Sequence, residues 1–306
     1  MPIIWIIIFI VIVLVILLSA VFSLMLARNV AEPKPHSHEE IHGRIMNADL
    51  LGAFDSLPKE EYEVRSFDGF RLHTVFLPAE QPSDRYVILS HGYTINYYGS
   101  VPYALMFRDL GFHCVLYDSR GHGSNERSVC TMGVSESKDL VAEIEDCYRR
   151  FGRGIRIGLH GESMGAGLQI MALGELRKRP ELPSPDFVVN DCGYADLAGV
   201  LSGKLRSELH LPGWLVRPAS LACRLRYGYS FTGVRPIDAL PDNTVPICFI
   251  HGDSDSFIPY DHSVRMQKAT GGYSELHLFA GAEHAGSMRA DRQAYRRIVR
   301  EFLEKK

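Results

Sequence analysis

Residues 155–166 run Ile155-Arg156-Ile157-Gly158-Leu159-His160-Gly161-Glu162-Ser163-Met164-Gly165-Ala166. The first five residues form an apolar run suited to a buried strand, and a helical pattern resumes from Ala166 to Lys178. Between them stands Gly161-Glu162-Ser163-Met164-Gly165. A Gly-x-Ser-x-Gly pentapeptide lets a strand turn abruptly into a helix with the serine in a strained, exposed position. The glycines sit where larger side chains would collide as the two elements nearly touch. The pattern alone arises by chance, but a strand before it and a helix after it supply its structural context. The alternative is a tight turn with an incidental serine.

Upstream and downstream the period of the chain changes repeatedly. Glu61–Ser66 and Arg71–Phe76 flank Phe67-Asp68-Gly69-Phe70, a hairpin signal with Asp-Gly as the turn. Val87–Leu89, Cys114–Tyr117, Phe187–Val189, Pro246–Ile250 and Glu275–Phe279 are further strand candidates. Helical patterns cover Pro102–Leu110, the face Leu140/Ile144/Tyr148/Phe151 with Ser135 or Ser137 as N-cap, and Asp291–Glu304. Strands alternating with helices imply an α/β fold with a mostly parallel sheet covered on both faces. The hairpin adds an antiparallel edge, and functional residues are expected at the carboxyl ends of the strands.

A serine hydroxyl is a weak nucleophile at neutral pH and needs a base and a group that orients the base. With a serine on such an elbow, the acid and then the histidine follow in chain order. Two later loops leave predicted strands on the same side: His251-Gly252-Asp253-Ser254-Asp255 and Gly281-Ala282-Glu283-His284. Ser163 is therefore expected to attack, His284 to accept its proton, and Asp255 to orient the imidazole. Asp253 competes with Asp255 but reads as a turn residue. His91, His122, His160 and His251 also lie near strand ends, each before a glycine, where a packed histidine bonded to backbone carbonyls is the ordinary reading. The oxyanion donors are expected to be the Met164 amide, after the serine, and the Tyr93 amide in His91-Gly92-Tyr93-Thr94. Gly92 would give that backbone room, and the Tyr93 ring reads equally as packing.

These pieces together resemble an α/β-hydrolase-fold serine hydrolase, most closely the membrane-anchored bacterial hydrolases and the eukaryotic α/β-hydrolase-domain proteins. The motifs that carry the resemblance are His91-Gly92-Tyr93, Asp118–Ser124, Gly161–Gly165, His251 to Asp255, and His284, spread from about Glu61 to the C-terminus. The resemblance implies that Asp118–Ser124 is a structural loop supporting the elbow and that residues 195–236 form a cap over the pocket. Leu197, Val200, Leu201, Leu205, Trp214, Leu215 and Leu221 suggest short cap helices that line an acyl groove or fill the core. Arg206, Arg217, Arg224 and Arg226 read as a solvated face or as partners of anionic groups.

The amino end belongs to a different regime. No charged residue occurs from Pro2 to Ala27, and such a run makes a helix of about 35–40 Å, enough to cross a bilayer. A cleaved signal peptide is the alternative, with small residues at Ser19, Ala20 and Ser23, but no basic residue precedes the apolar run. Arg28, Lys34 and Arg44 follow it, which places the body on the cytoplasmic side of a single-pass membrane protein. The expected organisation is an anchor over 1–27, a juxtamembrane linker with a short helix over 28–58, and a hydrolase domain over 59–306. Ile41, Ile45, Ala48 and Leu51 mark that short helix, and His36, His38 and His42 read as a solvated segment rather than a metal site.

Composition narrows the remaining classes. The 306 residues are 46% hydrophobic and 23% charged, with 33 basic and 36 acidic residues and a formal charge of −3. That balance carries no global footprint for nucleic acid and excludes wholesale disorder. Six cysteines are too dilute for a disulfide framework and show no metal-ligand spacing. The expected function is hydrolysis of small-molecule or lipid acyl esters or thioesters through an acyl-enzyme, which requires neither metal nor organic cofactor. The alternatives are a serine peptidase of the same fold and a non-catalytic membrane scaffold.

Overall fold

A computed structural model describes residues 2–45 and 48–305. Eight strands form one sheet: β1 (Glu60–Arg65), β2 (Arg71–Leu77), β3 (Arg85–Ser90), β4 (His113–Tyr117), β5 (Arg156–Glu162), β6 (Phe187–Asp191), β7 (Ile247–Gly252) and β8 (Ser274–Phe279). Their order is β1-β2-β4-β3-β5-β6-β7-β8. The β1–β2 hairpin closes at Gly69, whose φ of 86° is the left-handed conformation that glycine adopts at least cost. β1 and β2 are antiparallel and β2 meets β4 antiparallel; every other pairing is parallel.

The central strands are apolar on both faces because helices cover both. Alternate residues of β3 show how: Val87 and Leu89 join one core and Tyr86 and Ile88 the other. The first core is closed by α3 (Ala48–Ser56), α4 (Val101–Asp109) and α11 (Arg292–Glu304), through Phe54, Phe107, Val299 and Phe302. The second is closed by α5 (Glu136–Phe151), α6 (Met164–Leu176) and α9 (Asp261–Ala269), through Ile144, Leu173 and Met266. Between β6 and β7 lies a cap of α7 (Leu197–Ser207) and α8 (Val216–Tyr227), joined by short single-turn helices. Its core is Val200, Leu205, Val216, Cys223, Phe231 and Val234. Trp214 and Leu221, expected in a groove or the core, point outward and are 60% and 59% exposed.

The amino-terminal region departs from the expected boundaries. Helix α1 (Pro2–Ala31) does not stop at residue 27, and Ser23, Ala27 and Ala31 are buried, the alanines in the core that holds α8. The expected linker contains α2 (His38–Ile45) and α3 instead of one short helix. Phe54 is fully buried, so the body of the fold draws on residues before 59. Ile41 is buried, whereas the side chains of His42, Ile45, Ala48 and Leu51 lie outside the described residues. His38 is only partly solvated: it docks 3.4 Å from the buried Asp118 carboxylate. Among the described residues, α1 alone is long and apolar enough to cross a membrane.

Candidate active site

The elbow follows from steric necessity. A Cβ on Gly161 would lie 2.5 Å from the Gly165 backbone, and one on Gly165 would lie 2.0 Å from the Ser90 carbonyl oxygen. Only glycine lets β5, α6 and the end of β3 approach so closely. Ser163, at the tip, is held at φ 55° and ψ −114°, and its amide donates to the Asp191 carbonyl at 2.9 Å. Thr94 (φ 65°), Cys192 (φ 46°) and Ala285 (φ 53°) are strained in the same way. Four of the six such non-glycine residues among the described residues thus surround one point, and stored backbone strain commonly gathers at functional sites.

At that point Ser163 Oγ lies 2.9 Å from His284 Nε2, and His284 Nδ1 lies 2.7 Å from Asp255 Oδ2. The ionised carboxylate accepts from Nδ1–H, which leaves Nε2 as acceptor for the serine proton. Asp255 also takes His251 Nε2–H at 3.1 Å on Oδ2, and the Phe257 and Ile258 amides at 2.9 and 2.8 Å on Oδ1. Burial alone would raise its pKa. The His251 and His284 hydrogen bonds, His284 charge and the Ile258 amide outweigh that and hold the carboxyl well below the usual range. Asp253 is elsewhere engaged, with its Oδ1 accepting from the Gly281 amide at 2.7 Å, which fixes the loop.

The competing histidines have other partners. Ser119 N–H donates to His91 Nε2, so Nδ1–H donates to the Gly92 carbonyl at 2.7 Å. Thr94 N–H donates to His122 Nε2, and Nδ1–H donates to the Arg120 carbonyl at 3.0 Å. Burial pushes both pKa values down, that of His91 to about 4. His160 meets the Tyr295 hydroxyl rather than a carbonyl, and burial takes it to about 3. His251, bonded to Ser263 Oγ, Ile258 O and Asp255, braces the acid. That bracing role is not marked by any sequence pattern, since its partners lie four to twelve residues away.

Met164 N–H opens helix α6, where backbone amides have no intrahelical acceptor. Neither it nor the Tyr93 N–H donates to a protein acceptor among the described residues. Asp118–Ser124 touches the Tyr93 loop, where Ser119 and His122 bond His91 and Thr94 and Asp118 Oδ1 accepts from the Tyr97 amide, while Arg120 bonds Asp68 and Asp139. It braces that loop rather than the elbow itself. Gly92 is less constrained than expected, since a Cβ there would make ordinary 3.5–3.6 Å contacts with Glu162, Ile95 and Ser163. The Tyr93 hydroxyl donates toward the Asn29 and Val30 carbonyls at 2.9 and 3.1 Å, tying this loop to the end of α1.

Beneath the serine lies a pair of acids that the sequence did not single out beyond the motif position of Glu162. Tyr103 Oη donates to Glu162 Oε2 at 2.7 Å and lies 3.2 Å from Asp191 Oδ2. Burial and the neighbouring Glu162 charge push Asp191 up to about 8, and burial raises Glu162 as well. Glu162 and Tyr103 also line a cavity of about 240 Å³ beside His284, walled by Ile95, Pro102 and Met288 with Arg289 at its rim. A larger cavity of about 460 Å³, around Phe67, Lys138 and Arg179, lies away from the serine and holds no nucleophile–base pair. Cys192, Asp255 and His284 bring one ligand-type atom each within 4.8 Å of one another. They suit a metal poorly, because the acid and imidazole bind each other and burial raises the thiol far from its thiolate.

This geometry can be set beside known proteins. Residues 81–185 match the family model described as serine aminopeptidase, S33. YqkD of Bacillus subtilis (strain 168) is 30% identical over 258 residues, spanning 84% of this chain and 83% of its own. An esterase of Pyrococcus furiosus, Pf2001, superposes with a TM-score of 0.69 at 21% identity, covering 90% of this chain and 98% of its own. Est1E of Butyrivibrio proteoclasticus, solved with ferulic acid bound, gives 0.60 at 18% identity over 79% and 98%. The chain belongs to the serine hydrolases of the α/β-hydrolase fold.

Proposed function

We propose that this hydrolase is a single-pass membrane protein that cleaves carboxylic esters or thioesters through a Ser163 acyl-enzyme. The observation that carries the reading is the chain of contacts Ser163 Oγ–His284 Nε2 (2.9 Å) and His284 Nδ1–Asp255 Oδ2 (2.7 Å) at a strained elbow. In this reading His284 takes the hydroxyl proton as Ser163 Oγ bonds to the acyl carbon. The Tyr93 and Met164 amides hold the oxyanion, a contribution of about 3–4 kcal/mol per donor in comparable sites. His284 then gives its proton to the leaving group, and in the second half it deprotonates water, which releases the acid and restores Ser163. The apolar walls of the 240 Å³ cavity suit an acyl chain or an apolar leaving group.

Anchoring through α1 is supported by its length, its exposed apolar surface and the burial of Ser23, Ala27 and Ala31 against the body. Arg28 in its last turn, with Lys34 and Arg44 beyond it, favours a cytoplasmic body, as do six free, buried cysteines. Full-length protein in detergent should turn over p-nitrophenyl esters, with Ser163→Ala reducing kcat by about a million-fold to background. Turnover that survives Ser163→Ala in folded protein overturns the acyl-enzyme reading. The same triad cleaves amides, and faster turnover of matched p-nitroanilides would favour the peptidase reading that the matched family's name suggests. Carbonate-resistant membrane association with an intact Met1 supports anchoring; an N-terminus beginning after Ser23 contradicts it.

A further inference from the structure

The outer face of the cap has a composition that its place in a soluble fold does not require. Leu209, Trp214, Leu221 and Leu225 are 56%, 60%, 59% and 80% exposed. They are four of the nine exposed large hydrophobic side chains found beyond α1 among the described residues, gathered within 17 positions. Arg217 and Arg224 are exposed between them, and Arg206 is exposed just before them. Apolar side chains interleaved with arginines mark a surface that lies in a lipid interface, where alkyl groups enter the acyl boundary and guanidinium groups reach phosphates.

The position of the cap relative to α1 agrees. Helix α8 packs along the end of α1, with Ala219 and Cys223 buried against the face that carries Ala27 and Ala31. Small residues on both sides allow this close approach. At the far end, Tyr227 Oη donates to Glu32 Oε1 at 2.7 Å, just past the last turn of α1. The other end of α8, preceded by Trp214, therefore points back along α1 toward its apolar half. A hydrocarbon core of about 30 Å takes up about 20 residues of α1, from Ile3 to the neighbourhood of Phe22. The bilayer should thus end where the packing of α8 begins, and tryptophan is the side chain enriched at that level.

We propose that the end of the cap carrying Leu209 and Trp214, with Arg206 and Arg217 beside them, seats in the headgroup region of the leaflet from which α1 emerges, with anionic lipid as its preferred surface. The cap and α1 then form one membrane-facing unit, and Tyr93, bonded to the last carbonyls of α1, places the candidate active site beside that leaflet. Acyl substrates reach the site from the lipid phase. This inference rests on reading α1 as a membrane anchor.

The chain contains two tryptophans, Trp5 and Trp214, so each can be observed alone. Full-length Trp5→Phe protein, leaving Trp214, is reconstituted into phosphatidylcholine/phosphatidylglycerol vesicles carrying lipids brominated at shallow or deep acyl positions. Trp214 emission should be blue-shifted and quenched more by the shallow bromines than by the deep ones. Unquenched Trp214 in vesicles where Trp5 of the Trp214→Phe protein is quenched overturns the proposal while leaving the anchor intact. Absence of quenching in both proteins removes the anchor and the proposal with it. Leu209→Glu with Trp214→Glu should lower turnover of a vesicle-borne ester by about tenfold, with turnover of a short soluble ester unchanged. A variant that changes only the oligomeric state in detergent would make the face a contact between chains and overturn the proposal.

Discussion

Asp255→Asn is the substitution that separates the proposed relay from an accidental cluster. Four N–H groups converge on the two oxygens of Asp255: His284 Nδ1 and His251 Nε2 on Oδ2, and the Phe257 and Ile258 amides on Oδ1. An asparagine has one oxygen, so two donors must face its NH2 group. Turning the oxygen toward the imidazoles would orphan the buried Ile258 amide, at about 1–3 kcal/mol, and the half-buried Phe257 amide at less. Leaving it on the amides is cheaper, because His251 keeps the Ile258 carbonyl at 2.8 Å and His284 can change tautomer. The new tautomer carries its proton on Nε2, facing Ser163 Oγ, where it cannot act as a base. The expected result is a loss of about 10,000-fold in kcat, equivalent to about 5.4 kcal/mol of transition-state stabilisation. Asp253→Asn, which keeps an oxygen for the Gly281 amide, should change kcat by only a few-fold. The assay is ester turnover at neutral pH beside thermal unfolding of both variants. Folded Asp255→Asn protein retaining more than about a tenth of wild-type kcat refutes the relay.

Three further outcomes follow from particular contacts. Gly165→Ala would set a Cβ 2.0 Å from the Ser90 carbonyl oxygen, so folded protein should be lost in expression and circular dichroism, whereas Gly203→Ala, in open space, should fold normally. Tyr93→Phe removes the hydroxyl that bonds the Asn29 and Val30 carbonyls and should cost about 1 kcal/mol in thermal stability, while Ser163 keeps its reactivity. Asp191, with its folded-state pKa near 8, holds a proton that the unfolded chain releases near 4. The unfolded state therefore binds fewer protons across that window, and this group's contribution to stability falls as pH rises through it, by up to about 1.4 kcal/mol per pH unit. In Asp191→Asn protein that fall should disappear, seen as a wild-type-minus-variant difference in denaturant midpoints between pH 4 and pH 8.

The elements with strong local signals were legible in the sequence. Asp68-Gly69 set the hairpin, the apolar runs set six parallel strands, and the tight glycines located the elbow to the residue. The sequence order of acid and histidine was enough to nominate Asp255 and His284, which the fold brings to one point with Ser163. Other features depend on distant pairing. Glu162 and Asp191 are separated by a whole helix and meet only when β5 and β6 lie side by side. The end of α1 reads as a linker because charged residues and the prolines at 33 and 35 follow the apolar run, yet Ala27 and Ala31 supply the small face that α8 requires. Whether Trp214 and Leu221 line a groove or face outward depends on the direction of each cap helix, which periodicity leaves free.

The central claim, that Ser163 is an activated nucleophile, is tested most directly by covalent capture. Full-length protein in detergent micelles is treated with a fluorophosphonate, digested and mapped by mass spectrometry. One stoichiometric adduct on Ser163 is expected, formed slowly or not at all in folded His284→Ala protein. Folded wild-type protein that resists labelling, or that carries its adduct on another residue, contradicts the claim.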